Sequence, residues 1–152
     1  MSVESVRAFL AEHAPDIEIV ELQTRTATVT EAAEGHGVAT AQIAKTLSLR
    51  VGERRFLLVT GGDARLDNRK AKAAFGGKAS MLGLEEVAAV TGHPVGGVCP
   101  FGLATPLPVY CDVSLKAFDE VVPAAGAVNA ALRINPDRMA SLVRAEWVDV
   151  CQ

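Results

Sequence analysis

The sequence predicts an α+β fold whose core is a mixed, mostly antiparallel sheet with short helices between its strands. Three observations carry this. Residues 45–51, KTLSLRV, alternate apolar and polar side chains by twos, and RFLLVT returns after GERR, the pattern of a hairpin over 46–60. Further strand-like runs recur along the chain, and hairpin-like neighbours outnumber strand–helix–strand units. The helix signals between them are short. A sheet of this kind has edges, and curling it into a barrel would hide them.

In chain order, Ser2 is placed to cap a helix from Val3 to about Glu12, with Val3, Val6 and Leu10 on one face. Pro15 and Asp16 break it, and IEIVEL (17–22) reads as a strand. Thr28 or Thr30 caps a short acidic helix stopped by Gly35 and Gly37, and TAQIA forms a second short helix. After the hairpin, Asp67 or Asn68 caps the basic helix RKAKAAF, which ends at Gly76-Gly77. Residues 78–82 read as a short strand and LEEVAAV as a helix. LPVYCD, EVVPAA, AVNAALRI and EWVDV read as strands. Asn135-Pro136 gives a cap followed by a first-turn proline for the helix PDRMASLV. No repeat or linker divides residues 1–152, which are expected to form one domain.

The 152 residues are 49% apolar and 22% charged, enough for one hydrophobic core and unlike a disordered chain. No run approaches the roughly 20 apolar residues of a membrane span. MSVESVRAFLAEHAP lacks a basic segment leading into an apolar one, so a cytoplasmic protein without a membrane partner is expected. Cys99, Cys111 and Cys151 are odd in number and show no CxxC spacing. His13, His36 and His93 form no ligand motif, so neither a metal nor another cofactor is expected. The formal net charge is −3, yet residues 45–80 carry nine bases against three acids. That basic third can meet a phosphate-bearing partner or can be ordinary solvated surface.

The chemistry-bearing candidates are few. Lys45 shares the parity of Leu47, Leu49 and Val51, so a strand beginning there brings its amine in from the apolar face. Such an amine must snorkel, find an anion, or lose its proton more readily. GHPVGGVCPFG (92–102) lacks the context of a phosphate-binding loop. Gly96-Gly97 nonetheless lets backbone approach a ligand, and Pro94 and Pro100 stiffen the loop, so its N–H groups can face a carbonyl or phosphate. A tight turn into the Val109 strand explains the same residues. Cys99 lies six residues from His93, a spacing that dictates no contact, and reads as a small buried side chain sooner than a nucleophile. Asp63 turns the chain, Lys70 can reach phosphate, and Asn129 alternates into its strand and can offer an amide to a cavity.

QIAKTL (42–47), LVTGGDARLD (58–67), TGHPVGGVCPFGL (91–103), LPVYCD (107–112) and the AAG of 124–126 resemble the YbaK/ProX family of trans-acting aminoacyl-tRNA editing domains, relatives of the editing insert of prolyl-tRNA synthetase. The likeness runs from about Thr24 to Val150. It implies a curved, barrel-like antiparallel core flanked by short helices, and hydrolysis of the ester that joins a wrongly attached amino acid to tRNA. By the same resemblance Lys45 is the functional lysine, and backbone N–H groups around Gly96–Gly102, that of Gly97 first among them, are expected to stabilise the developing oxyanion. His93, Gly96, Pro100, Gly102, Gly126, Asp63 and Asn129 border the substrate. Arg65, Lys70 and Lys72 are assigned to RNA, and the tRNA's vicinal hydroxyl helps orient the water. Cys99 stands where many relatives have serine, which puts any hydroxyl contact there in question. The implied substrates are small amino acids such as alanine on tRNA(Pro), with prolyl-tRNA synthetase as a further partner and no role for DNA. The alternative is a non-catalytic aminoacyl-tRNA or nucleotide-binding module associated with a synthetase.

Overall fold

The computed structural model describes residues 2–152. The predicted hairpin forms its centre. Strand β2 (Ile43–Val51) pairs antiparallel with β3 (Arg54–Gly61) over eight residue pairs. Gly52, at φ 61°, supplies the left-handed turn residue. On the far side of β3, β5 (Val109–Asp112) joins in parallel, and β8 (Glu146–Val148) joins β5 in parallel. The other edge of β2 is shared. Strand β4 (Ser80–Met81) pairs antiparallel with Leu49 and Arg50, and β6 (Val122–Pro123) pairs parallel with Ile43 and Ala44. A separate antiparallel pair joins β1 (Val20–Glu21) to β7 (Ala130–Ala131).

This corrects one expectation. The sheet is mixed α+β with an antiparallel hairpin at its centre, but it does not close or curl into a barrel. Its order, β4-β2-β3-β5-β8, ends on β4 and β8, which do not pair. Closure needs consistent tilt and stagger through every neighbour. Here the partners on the outer edge of β2 are two residues long, and the chain reaches β5 and β8 by crossovers that carry helices. The run at 17–22 also contributes only two strand residues, and TAQIA supplies a 3-10 turn over Thr40–Gln42.

The helices follow their sequence signals. Helix α2 (Val29–His36) carries a full capping box, Thr28 with Glu31, and ends on left-handed Gly37. Asp67 caps α3 (Asn68–Phe75) through the N–H groups of Arg69 and Lys70, and Asn135 caps α5 (Pro136–Val143) ahead of its proline. Helix α4 spans Leu84–Thr91. Helix α1 spans Ser2–His13, so Ser2 lies inside the helix, and its hydroxyl donates to the Gly126 carbonyl. One face of the central sheet buries Leu57, Val59, Val109 and Cys111 against Val6 and Leu10 of α1 and Met139 of α5. The opposite face buries Leu49, Phe56 and Leu58 against Ala71 and Phe75 of α3. There Phe56, Phe75 and Tyr110 meet at ring separations of 4.6–5.3 Å.

Candidate active site

Because β4 and β6 hold only the two ends of one β2 edge, residues 45–47 between them lack a strand partner on that side, while the Ser48 carbonyl accepts from Leu82 N–H. A cavity of about 240 Å³ opens there. Its walls are mostly apolar: Ile43 and Ala44 of β2, Ala27 and Val29 leading into α2, Leu82 and Val87, and Val122 with Ala130 and Ala131. Thr46 and Ser48, whose parity turns them away from the α3 face, also line it. The Thr46 hydroxyl oxygen is buried and has no hydrogen-bond partner. An orphan hydroxyl costs free energy unless something fills the space before it.

Lys45 stands at the same wall. The strand begins at Ile43, so Lys45 shares the face of Leu47 and Leu49, as its parity predicts. Its amine donates to the Ala64 carbonyl at 2.7 Å and to the Gly62 carbonyl at 3.3 Å. An ammonium has three donors, so one remains for a ligand. The turn offering those carbonyls is itself fixed. Gly61 N–H donates to the Ser114 hydroxyl at 3.0 Å, and Ala64 N–H closes back on the Gly61 carbonyl. Ser114 N–H and Val150 N–H both donate to the buried carboxylate of Asp112. Lys45 is close enough to oppose burial and Asp112, which together push the Cys151 thiol up to about 12.

The glycine-proline loop divides into two roles. Val95, Gly96 and Val98 line the cavity, and Gly96, at φ 90°, lies so close to Ala27 that a Cβ would stand 2.7 Å from that residue's methyl. Gly97 does not line the cavity. Its N–H donates to the Pro94 carbonyl at 2.9 Å, its carbonyl accepts from Gly126 N–H at 3.0 Å, and a Cβ would fall 2.6 Å from the Ala127 nitrogen. The predicted oxyanion donor is therefore already engaged in a turn. Gly96 and Val98 N–H groups have no acceptor among the described residues. Gly102 and Gly126 are pressed against the backbone of α1, at Ser5 and Ser2 respectively. Pro100 is buried.

His93 is 1% exposed, and its Nε2–H donates to the Phe101 carbonyl at 2.8 Å, which leaves Nδ1 as a buried lone pair without a partner. Burial lowers its pKa. Cys99 Sγ lies 3.5 Å from Nε2, but that nitrogen already carries the proton it donates to Phe101, so it is no base for the thiol. Burial pushes the Cys99 thiol up to about 12. His93 and Cys99 thus tie the loop together from within.

The remaining predicted residues lie away from the cavity lining. Asp63 is exposed in the turn that holds Lys45. Asn129 donates its amide to the Leu22 carbonyl at 2.8 Å, fastening the segment before α2. Lys70 is occupied by Asp149 and the Cys151 carbonyl. Arg65 is exposed, and Lys72 lies on α3, over the sheet face opposite Thr46 and Ser48. What the sequence reading passed over is Thr46 and the supporting pair Asp112 and Ser114. Alternation did signal Thr46, since it placed Thr46, Ser48 and Arg50 together on one side. The lining holds no carboxylate and no imidazole.

The family model for the aminoacyl-tRNA editing domain matches residues 23–142, and the chain belongs to that family. It is an aminoacyl-tRNA deacylase, a hydrolase that acts in trans on the ester of tRNA carrying the wrong amino acid. It is 45% identical over its whole length to YwhH of Bacillus subtilis (strain 168), covering 98% of that protein. It is 29% identical over 121 residues, 78% of this chain and 73% of the other, to the "Putative Cys-tRNA(Pro)/Cys-tRNA(Cys) deacylase EbsC" of Enterococcus faecalis (strain ATCC 700802 / V583). Among solved structures, "a putative trans-editing enzyme for prolyl tRNA synthetase" superposes with a TM-score of 0.92 at 34% identity, over 99% of this chain and 97% of that one.

Proposed function

We propose that the cavity beside Lys45 receives a small aminoacyl group, alanine first among them, esterified to tRNA(Pro), and that the enzyme serves alongside prolyl-tRNA synthetase. The observation that carries this is a cavity of about 240 Å³ with apolar walls, one tethered amine and one orphan hydroxyl. That volume is below the ~300–1,000 Å³ of drug-sized sites. It has room for a whole small aminoacyl group and its ester, so total volume alone does not set the size limit. Selection against larger cognate residues rests on the shape of the walls, since one methylene is worth only about 1–3 kcal/mol by contact alone. The likeness to the solved structure described for prolyl-tRNA synthetase supports the choice of tRNA.

In the reaction, water attacks the ester carbonyl, the bond to the ribose oxygen breaks, and that oxygen leaves with a proton as the free hydroxyl. The third donor of Lys45 holds the terminal phosphate or ribose against the wall. Gly96 and Val98 N–H groups, rather than Gly97, are the loop donors available to the developing oxyanion. With no carboxylate or imidazole in the lining, the protein brings no general base, and the vicinal hydroxyl of the RNA orients the water. The Thr46 hydroxyl meets a polar atom of the substrate.

The test is hydrolysis of a panel of tRNA(Pro) carrying alanine, cysteine, serine or proline by wild type and Lys45→Ala. Release of alanine with proline retained is expected, together with a fall of about 10²–10³ in the variant. Faster release of cysteine than of alanine would exchange the substrate for the one in the EbsC relative's name. Undiminished turnover by Lys45→Ala would remove Lys45 from the mechanism.

A further inference from the structure

The three most exposed large apolar side chains among the described residues are Leu84 (69%), Met81 (62%) and Val95 (52%). All three line the same cavity. They come from α4, β4 and the glycine-proline loop, so separate segments converge to make one apolar rim. Exposed apolar groups gathered around a cavity mark a binding surface, whereas scattered ones need no explanation.

Charge lies directly beside this rim. Arg50 and Arg55 are cross-strand neighbours, and both reach one carboxylate, Glu86, two residues along α4 from Leu84. Two guanidinium groups on a single acid leave one positive charge over. Both side chains remain about two-fifths exposed, at 41% and 36%. Lys45 stands five residues from Arg50 on the same strand, about 17 Å along it and on the other face of the strand, so the charge beside the rim comes from Arg50 and Arg55.

The chemistry of the substrate says what must occupy this place. Under the editing reading on which this inference rests, the aminoacyl group enters the cavity, so the nucleoside to which it is esterified lies toward the mouth. We propose that Met81, Leu84 and Val95 seat the 3′-terminal nucleobase of the tRNA, and that Arg50 and Arg55 receive the phosphate preceding it, which leaves the terminal ribose to Lys45. A base presents a flat apolar face to such a rim and a negative charge one linkage away, which matches the apolar-then-cationic order found here. This moves the RNA contact from Arg65, Lys70 and Lys72 to the opposite side of the sheet.

The experiment compares wild type, Met81→Ser/Leu84→Ser and Arg55→Gln, binding an RNA minihelix that ends in an unpaired CCA tail and the same minihelix lacking the terminal A. Deacylation of mischarged tRNA is measured alongside. The substituted side chains are exposed, so an unchanged Tm is expected to confirm folding. Wild type is expected to prefer the complete tail by roughly 5-fold or more. The double variant should erase that preference and raise KM. Arg55→Gln should weaken both tails alike and flatten the slope of log Kd against log salt by about 0.7. A wild type that ignores the terminal base, or a double variant that still discriminates like wild type, overturns the rim assignment. So does a double variant whose only change is lost self-association in light scattering, which would give the rim to a second copy of the chain. If wild type hydrolyses no mischarged tRNA, the editing reading itself falls. Hydrolysis without terminal-base preference sinks the rim alone.

Discussion

The Gly61-Gly62 turn and the Gly96-Gly97 turn both border the cavity region, yet they use their backbones in opposite senses. The first turns a carbonyl, that of Gly62, toward Lys45 and, with Ala64, holds the amine in place. The second keeps the Gly97 N–H for the Pro94 carbonyl and leaves Gly96 and Val98 facing the cavity. In the first, Gly62 is required by close approach; in the second, both Gly96 and Gly97 are. A Cβ on Gly62 would fall 2.1 Å from the Thr40 carbonyl oxygen, and one on Gly97 would meet the Ala127 backbone. A glycine pair therefore identifies crowded backbone without saying whether donors, acceptors or neither are presented. The loop with the richer composition is the more structural of the two, and the plainer turn positions the Lys45 amine.

Several substitutions break or sharpen that contrast. Lys45→Arg carries the largest effect after Lys45→Ala. The guanidinium keeps the charge but cannot reproduce the short bonds to Ala64 and Gly62, so kcat is expected to fall about 10²-fold with Tm unchanged. Retained kcat would show that charge alone, not the tether, matters. Gly97→Ala should act on the fold, costing about 1–3 kcal/mol of stability from overlap with Ala127, read as a lower urea midpoint. A stable Gly97→Ala protein with no activity would return the oxyanion role to that residue. Thr46→Val is smaller and has opposite signs in its two readouts. Removing an unpartnered buried hydroxyl should leave stability equal or raise it, while deacylation falls about 10-fold. Lower stability with full activity would assign Thr46 to the fold.

The same contrast explains what the sequence made legible. Alternation in KTLSLRV located the hairpin and the face of Lys45, because parity is a local property of the strand. Thr28 or Thr30, Asp67 or Asn68, and Asn135-Pro136 marked helix starts for the same reason, and the caps that form are Thr28, Asp67 and Asn135. The partners of β5 and β8 were not readable, since a four-residue run such as VYCD is equally compatible with parallel and antiparallel neighbours. Nothing in those runs could therefore test the barrel that the family resemblance and the need to hide edges implied, and the sheet is open and mixed. The cavity depends on β4 and β6 sharing one edge of β2 while leaving residues 45–47 bare, a fact about strands some 30 and 75 residues downstream. Motif likeness pointed to Lys45 and to a loop that both border the cavity, but it grouped cavity-lining Gly96 with Gly97, Gly102 and Gly126, which pack against backbone. Only their neighbours in space separate them.

The smallest expected effect concerns His93 and follows from burial. Its folded pKa lies below the ordinary value of 6.5 because the imidazole is desolvated, the bond to the Phe101 carbonyl opposing this only in part. As pH falls, the unfolded chain therefore takes up this proton before the folded one does. The contribution of His93 to stability is complete above about pH 6.5, and falls away as pH drops from there toward the folded pKa. His36, lowered by its own burial and by Arg133, adds a dependence of the same sign. Urea midpoints at pH 7.5 and pH 5.5 should differ in wild type, with the lower value at pH 5.5. His93→Gln should narrow the gap without abolishing it, because His36 remains. An equal gap in the variant would mean that the loop does not enforce a neutral imidazole, and that its cohesion rests on the glycine contacts alone.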